Sequence, residues 1–171
     1  MTAETTGGPE TEYREFVAGR AAPLHRTAYL LCGDWHLADD LVQETLAKTF
    51  RHWRKVRRAD SPDSYVHRIL INEANRHHRR RRTVAPVVDV AEHDLAVPDP
   101  TDEIVDRTDL LRALLTLPVR QRATVVLRYL VGMSERETAV VLKCSEGTVK
   151  SQTFRALGAL KTSMKREESH R

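Results

Sequence analysis

Ser134-Glu135-Arg136-Glu137-Thr138-Ala139-Val140-Val141-Leu142-Lys143-Cys144-Ser145-Glu146-Gly147-Thr148-Val149-Lys150-Ser151-Gln152 is the stretch from which the rest of the chain can be read. Ser134 and Glu137 stand in the S-x-x-E spacing of a capping box, which satisfies two orphan amides at a helix start. The helix they open carries Ala139, Val140 and Leu142. After Lys143-Cys144, Ser145 is placed to cap a second helix, with Val149, Phe154, Leu157 and Leu160 expected to face inward. A short helix, a tight turn and a longer basic helix make a helix-turn-helix. The second helix of such a unit fits the major groove of duplex DNA, with its first residues at base edges. Here those residues are Glu146, Thr148, Lys150, Ser151, Gln152 and Arg155. An ordinary antiparallel helix pair would share the pattern; the basic, hydrogen-bonding polar face favours DNA.

Upstream, Leu110, Leu111, Leu114 and Leu115 continue a helical period begun at Ile104 and closed by Pro118. A further helix is expected over residues 119–130, stopped by Gly132. Before these, residues 83–103 hold Pro86, Pro98 and Pro100 among acidic side chains, the composition of an extended linker. The N-terminal half resumes helical spacing. A helix is expected over residues 13–31, kinked at Pro23, with Gly33 as its stop and Asp34 as the next N-cap. Ala38, Leu41, Val42, Thr45, Leu46, Phe50 and Trp53 then follow the i, i+3, i+4, i+7 rule, and Asp39, Asp40, Gln43, Glu44 and Lys48 lie opposite. Ser61-Pro62 opens a helix through Tyr65, Ile69, Leu70 and Ala74 that runs into an Arg- and His-rich end at residues 76–82. The expected fold is all-α. Two small helical domains, residues 13–82 and 104–163, are joined by an acidic linker and flanked by tails at 1–12 and 164–171.

Charge separates the same segments. Residues 1–50 carry 4 basic and 8 acidic side chains, net −4, and residues 51–82 carry 11 and 3, net +8. Residues 83–109 are net −7 and residues 110–171 net +7. Two basic blocks around an acidic strip are the footprint of polyanion binding, since each neutralised phosphate releases counterions. Arg outnumbers Lys 22 to 6, which suits bidentate phosphate and base contacts. The sequence offers no long apolar run for a membrane span and no basic-then-apolar start, so the cytoplasm is the expected compartment. Cys32 and Cys144 lack any ligand or disulfide spacing. His67, His77 and His78 lack a carboxylate or Cys at metal-ligand spacing, and no Gly-rich phosphate loop, GxSxG or HExxH occurs. No catalytic residue, metal or cofactor is therefore expected.

Three runs carry a family resemblance. Asp39-Asp40-Leu41-Val42-Gln43-Glu44-Thr45-Leu46 resembles the D-L-V-Q-E-T segment of bacterial sigma factors. The Tyr65-Val66-x-Arg68-Ile69-x-x-Asn72 pattern follows it. Leu117-Pro118 through Arg128-Tyr129, Gly132-Met133-Ser134 and Gly147-Thr148-Val149-Lys150-Ser151 to Arg155-Ala156-Leu157 is similar to their C-terminal domain. Order and spacing resemble the extracytoplasmic-function class, and within it the short actinobacterial SigE-like members. The resemblance implies a promoter-specificity subunit rather than an enzyme. It implies docking of Asp39, Asp40, Gln43 and Glu44 on the β′ clamp helices of the RNA polymerase core. It implies reading of a melted −10 element by Tyr65, Arg68, Asn72, Asn75, Arg76 and Arg79, and of a duplex −35 element by Thr148, Lys150, Ser151, Gln152 and Arg155. Arg120, Arg122 and Arg128 are placed for phosphates or the polymerase β flap, and an anti-sigma protein is an implied further partner. Gln152 stands where the family commonly has Arg, and Thr138 where it usually has Ile. A rival reading of the same helix-turn-helix is a stand-alone dimeric transcriptional regulator, binding a palindrome without polymerase.

Overall fold

The computed structural model describes residues 8–84 and 102–168, and among them every regular element is helical. In chain order these are α1 (Pro9–Ala18), α2 (Ala21–Cys32), α3 (Trp35–Arg51), α4 (Trp53–Val56), α5 (Pro62–Val84), α6 (Asp102–Thr116), α7 (Val119–Val125), α8 (Glu135–Leu142) and α9 (Glu146–Glu168). A π-helical turn, Val126–Val131, joins the end of α7 to the α8 entry. No described helix is long and apolar enough to cross a membrane.

The polar residues expected to start helices do so. Asp34 accepts from the Leu37 amide at 2.8 Å, Ser61 from Ser64 at 3.2 Å and Ser145 from Thr148 at 3.1 Å. Both halves of the Ser134–Glu137 capping box are present, at 3.1 and 2.8 Å. Each satisfies an amide that has no intrahelical partner.

Several expectations are corrected. The single helix over residues 13–31 is two: it breaks at Gly19, and Pro23 sits in the first turn of α2, where no intrahelical amide is required of it. Helix begins at Pro9, inside the expected tail of residues 1–12, and α9 continues past residue 163 to Glu168. The helix expected over 119–130 widens after Val125 into the π turn and ends at Gly132 (φ +84°). Helix α5 runs on to Val84 and α6 opens at Asp102; the acidic stretch between them, residues 85–101, lies outside the described residues. Phe154 and Leu157 do not face inward but are 82% and 41% exposed. Val149, Ala156 and Leu160, at i, i+7 and i+11, hold the buried stripe of α9, and each step of one residue turns a side chain by about 100° away from it.

The N-terminal core gathers Leu24, Ala28, Ala38, Leu41, Val42, Trp53, Val56, Val66 and Leu70 from α2 to α5. Tyr13 and Phe16 of α1 close it by packing on Trp53 at ring-centroid distances of 5.6 and 5.1 Å. The C-terminal core is built from Ala113, Leu114, Leu117, Val125, Ala156 and Leu160.

The two domains are docked on each other. Ile71 of α5 is buried in one cluster with Ala123, Leu127, Met133 and Val141, and Leu30 and Leu31 of α2 pack on the C-terminal cores. Burying an Ile of this kind stabilises by about 2 kcal/mol. Gly33 permits the approach twice over. Its φ of +74° ends α2, and a Cβ there would meet the Leu115 side chain at 2.7 Å.

Candidate nucleic-acid and partner interface

Helix α9 presents its N-terminal half across the turn from α8. The turn is made by Lys143, Cys144 and Ser145, with Lys143 in the left-handed region (φ +52°) that a non-glycine residue adopts at a cost of about 1 kcal/mol. Thr148, Ser151 and Arg155, at i, i+3 and i+7, share one face, and Lys150 and Gln152 flank it. Lys150, Ser151 and Arg155 are exposed; Thr148 and Gln152 are half-buried. The Thr148 hydroxyl lies 2.9 Å from that of Ser145, and Ser151 donates to the Thr148 carbonyl at 3.0 Å, so both side chains are oriented before any ligand arrives. Lys150 Nζ is 3.6 Å from Glu135 Oε2 on α8. Behind this face, Thr138 is fully buried and its hydroxyl has no hydrogen-bond partner, a polar group where an aliphatic side chain would fit.

Helix α5 brings Tyr65, Arg68, Asn72, Arg76 and Arg79 together as one stripe at i, i+3, i+7, i+11 and i+14. Asn72 and Arg79 are exposed. The Arg68 guanidinium lies over the Tyr65 ring, 4.7 Å from its centroid, so the cation and the aromatic face are paired. Asn75 is not with them. It turns toward the interdomain boundary, where it lines a small cavity of about 80 Å³ with Cys32, Ile71, Arg81 and Arg122. His67 is buried on the same side, its Nδ1 2.8 Å from the Asp63 carbonyl, and burial pulls its pKa below the ordinary imidazole value. Among the described residues no group of three or more His, Cys, Asp or Glu is placed to hold a metal ion.

All four acidic or amide residues of α3, Asp39, Asp40, Gln43 and Glu44, are exposed. They divide between two sides of the helix. Asp39 lies toward α2, where His25 Nε2 is 2.7 Å from Asp39 Oδ1. Asp40, Gln43 and Glu44 line a hollow shared with Glu73 and Arg76 of α5. Arg76 donates to both Glu44 oxygens at 2.8 Å and sits 2.7 Å from Glu73 Oε2, though off hydrogen-bonding direction there. Glu73, only 7% exposed at its side chain, is also bonded by Lys48 of α3. The Arg76 hydrogen bonds hold the Glu44 carboxyl below the usual carboxylate range. Sequence spacing offered no sign of this bridge, because its partners are 25 and 32 residues apart.

Arg122 is also placed differently from expectation. It is half-buried, and its guanidinium caps two helix ends. It donates to the Leu31 carbonyl of α2 at 2.7 Å, 91 residues away, and to the Leu115 and Leu117 carbonyls at the end of α6 at 3.0 and 3.1 Å. A guanidinium at two helix C-termini meets unpaired carbonyls and the negative ends of both dipoles. Burial still lowers its pKa from the ordinary guanidinium value. Its position at the edge of the Val119, Ala123 and Val126 face was the available signal. Arg128 donates to the Met133 carbonyl and closes the loop before α8. Cys32 is a half-buried thiol whose pKa is pushed up to about 11, chiefly by desolvation, which leaves it in the unreactive protonated form.

This pairing of a helical domain carrying a basic stripe with a helix-turn-helix domain coincides with two family patterns. Residues 17–84 match Sigma-70 region 2, and residues 107–160 match Sigma-70 region 4. The chain belongs to the extracytoplasmic-function class of sigma-70-family sigma factors. It is 36% identical to the RNA polymerase sigma-E factor of Streptomyces coelicolor over 155 residues, 90% of this chain and 86% of that one. It is also 36% identical to the ECF RNA polymerase sigma factor SigM of Mycobacterium tuberculosis, over 80% of this chain and 69% of the relative. Among solved structures, the sigma factor RpoE in complex with the anti-sigma factor NepR from Bartonella quintana is similar with a TM-score of 0.75 and 25% identity, covering 90% of this chain and 97% of that one. CnrH in complex with the cytosolic domain of CnrY has a TM-score of 0.68 at 22% identity, covering 94% and 92% respectively, and shows a shared fold.

Proposed function

We propose that this sigma factor binds the RNA polymerase core through the exposed polar residues of α3 and directs promoter-specific initiation. In this reading α9 reads the −35 element as duplex, through Thr148, Lys150, Ser151, Gln152 and Arg155. Helix α5 receives the melted −10 strand on Tyr65, Arg68, Asn72, Arg76 and Arg79, with Asn75 at its inner edge. The observation that carries the proposal is the outward placement of two reading stripes on one chain, one with the groove-entering geometry of a helix-turn-helix, the other basic and aromatic as single-strand recognition requires.

The docked arrangement adds a requirement. Two elements about 25 base pairs apart are separated by about 85 Å of B-form duplex. Helix α5 packs on α8, which packs on α9, so the two stripes are only about 20 Å apart at ordinary interhelical spacing. Binding both elements therefore separates the domains, breaking the Arg122–Leu31 bond and exposing Ile71. Contacts with polymerase and promoter offset that loss. An anti-sigma protein that favours the docked form is a fitting partner; the similar RpoE was solved in complex with the anti-sigma factor NepR.

Run-off transcription from promoter templates with core polymerase, with and without the chain, tests the proposal. Promoter-dependent transcripts that require the chain are expected. A stable dimer that binds palindromic duplex tightly and gives no transcript with core would favour the stand-alone regulator instead.

A further inference from the structure

Helix α5 has a second face beside the stripe from Tyr65 to Arg79. It carries Ser64, His67 and Ile71 at i, i+3 and i+7, and all three are buried. Ile71 belongs to the cluster that joins the two domains. One turn before it, His67 lines a cleft of about 540 Å³ whose far wall is Val131, Gly132, Met133 and Glu137 of the C-terminal domain. Arg20, Leu24 and Asp63 stand on the near side. The fixed charges around the imidazole are already engaged. Arg20 donates to Asp63 at 2.6 and 3.3 Å, and Glu137 accepts from the Ser134 amide at 2.8 Å. Arg128, on the π turn, donates to the Met133 carbonyl. His67 holds the Asp63 carbonyl through Nδ1 at 2.8 Å, a bond that the neutral ring makes by donating its one N–H. Burial outweighs that carbonyl and the Asp63 carboxylate, and keeps the His67 pKa below the ordinary imidazole value.

We propose that protonation of His67 opens the interface between the two domains, so that acidification raises the share of open chains. The consequence for transcription rests on the reading that promoter binding requires this opening, and the proposal adds what controls it. Imidazole is the one side chain on the cleft whose charge changes near neutral pH. In the docked form an imidazolium would sit in the cleft with little water, beside carboxylates that other groups already hold. Separation of the domains lets water reach the ring and solvate the charge. The sign follows from where the proton binds more tightly. A hydrated imidazole in the open chain titrates at about 6.5, above the docked value, so the docked form has its full advantage above that pH. It loses ground as pH falls through the open-chain value toward the docked one.

The test is the open-to-docked ratio of the full-length chain as a function of pH. Single-molecule energy transfer between dyes attached at the exposed positions Glu15 of α1 and Lys161 of α9 reads it. In the parent the ratio is expected to rise by up to about tenfold between about pH 7.5 and about pH 5.5, the limit for one imidazole. His67→Gln, which can still donate to the Asp63 carbonyl, and His67→Leu are each expected to stay flat to within about twofold. Should His67→Leu fail to fold, His67→Gln decides alone. Should the parent stay docked at every pH, the same series on Ile71→Ala, whose smaller side chain weakens the interface, decides instead. A flat ratio in a chain that populates both forms overturns the proposal. So does a parent that is open throughout, or a pH dependence that persists in His67→Gln. Run-off transcription with core keeps the two readings apart. Promoter-dependent transcripts from a chain whose ratio ignores pH leave the promoter-directing role standing without the switch. A His67-dependent ratio in a chain that gives no transcript upholds the switch and removes that role.

Discussion

The two helices proposed to read DNA differ in how their side chains are held. On α9, Thr148 and Ser151 are oriented by short hydrogen bonds within one turn, Lys150 is only loosely tied at 3.6 Å, and Arg155 is exposed. On α5, Arg76 is clamped by Glu44 and Glu73, and Arg68 rests on Tyr65. A duplex presents its base edges ready-made, so a preformed reader suffices. A melted strand exists only once polymerase has opened it. On the proposed reading, a strand reader tied to the core-docking helix is suited to wait for that event, and Glu44 belongs to two surfaces at once.

Breaking the clamp at its buried end should have the largest effect. Glu73→Ala leaves Lys48 without its partner and is expected to cost about 3 kcal/mol of stability, as removal of one member of a buried pair does. Urea denaturation of the whole chain measures it, and a loss below about 1 kcal/mol would mean that the bridge is incidental. On the other side of the comparison, Thr138→Val removes an unpartnered buried hydroxyl beneath the α9 face. It is expected to stabilise by about 1 kcal/mol without changing duplex binding. The smallest effect sharpens the contrast most. Glu44→Gln weakens an exposed, solvent-screened pair, and so should raise the free chain's affinity for single-stranded −10 DNA by no more than about twofold while leaving −35 duplex affinity unchanged. Anisotropy with the two labelled DNAs separates these outcomes. Because the pairing holds the folded Glu44 pKa below its unfolded value, its contribution is present above that unfolded value and is lost as pH falls through the folded one. At neutral pH the parent chain keeps the clamp closed.

Much of this architecture was legible from local pattern. The caps at Asp34, Ser61, Ser134 and Ser145 fell where short polar side chains preceded apolar periodicity, and the buried face of α3 followed its sequence spacing through Ala38, Leu41, Val42 and Thr45, but then passed to Thr49, leaving Leu46 half-buried and Phe50 exposed. The misreadings have a common origin. Whether a regular apolar period stays one helix, as over residues 13–31, depends on what packs on each half. The π turn before Gly132 adjusts the register of Leu127 into a cluster that includes Ile71 from the other domain. Phe154 and Leu157 look like core in a one-dimensional count, but the inward side of α9 is set by α6, α7 and α8. Of the site residues, the α9 face and most of the α5 stripe came together as expected, while Asn75 and Arg122 turned inward.

Composition, caps and periodicity were enough to specify an all-helical chain in two parts with a basic helix in each. These are consequences of backbone hydrogen bonding and apolar spacing over a few residues, which local order encodes directly. The docking of the two parts, the Arg122 bracket across them, and the Lys48–Glu73–Arg76–Glu44 bridge join residues 25 to 91 positions apart. No local rule couples such positions. They meet because burying apolar surface brings distant helices together, and the low-dielectric boundary so formed then determines which charges must pair.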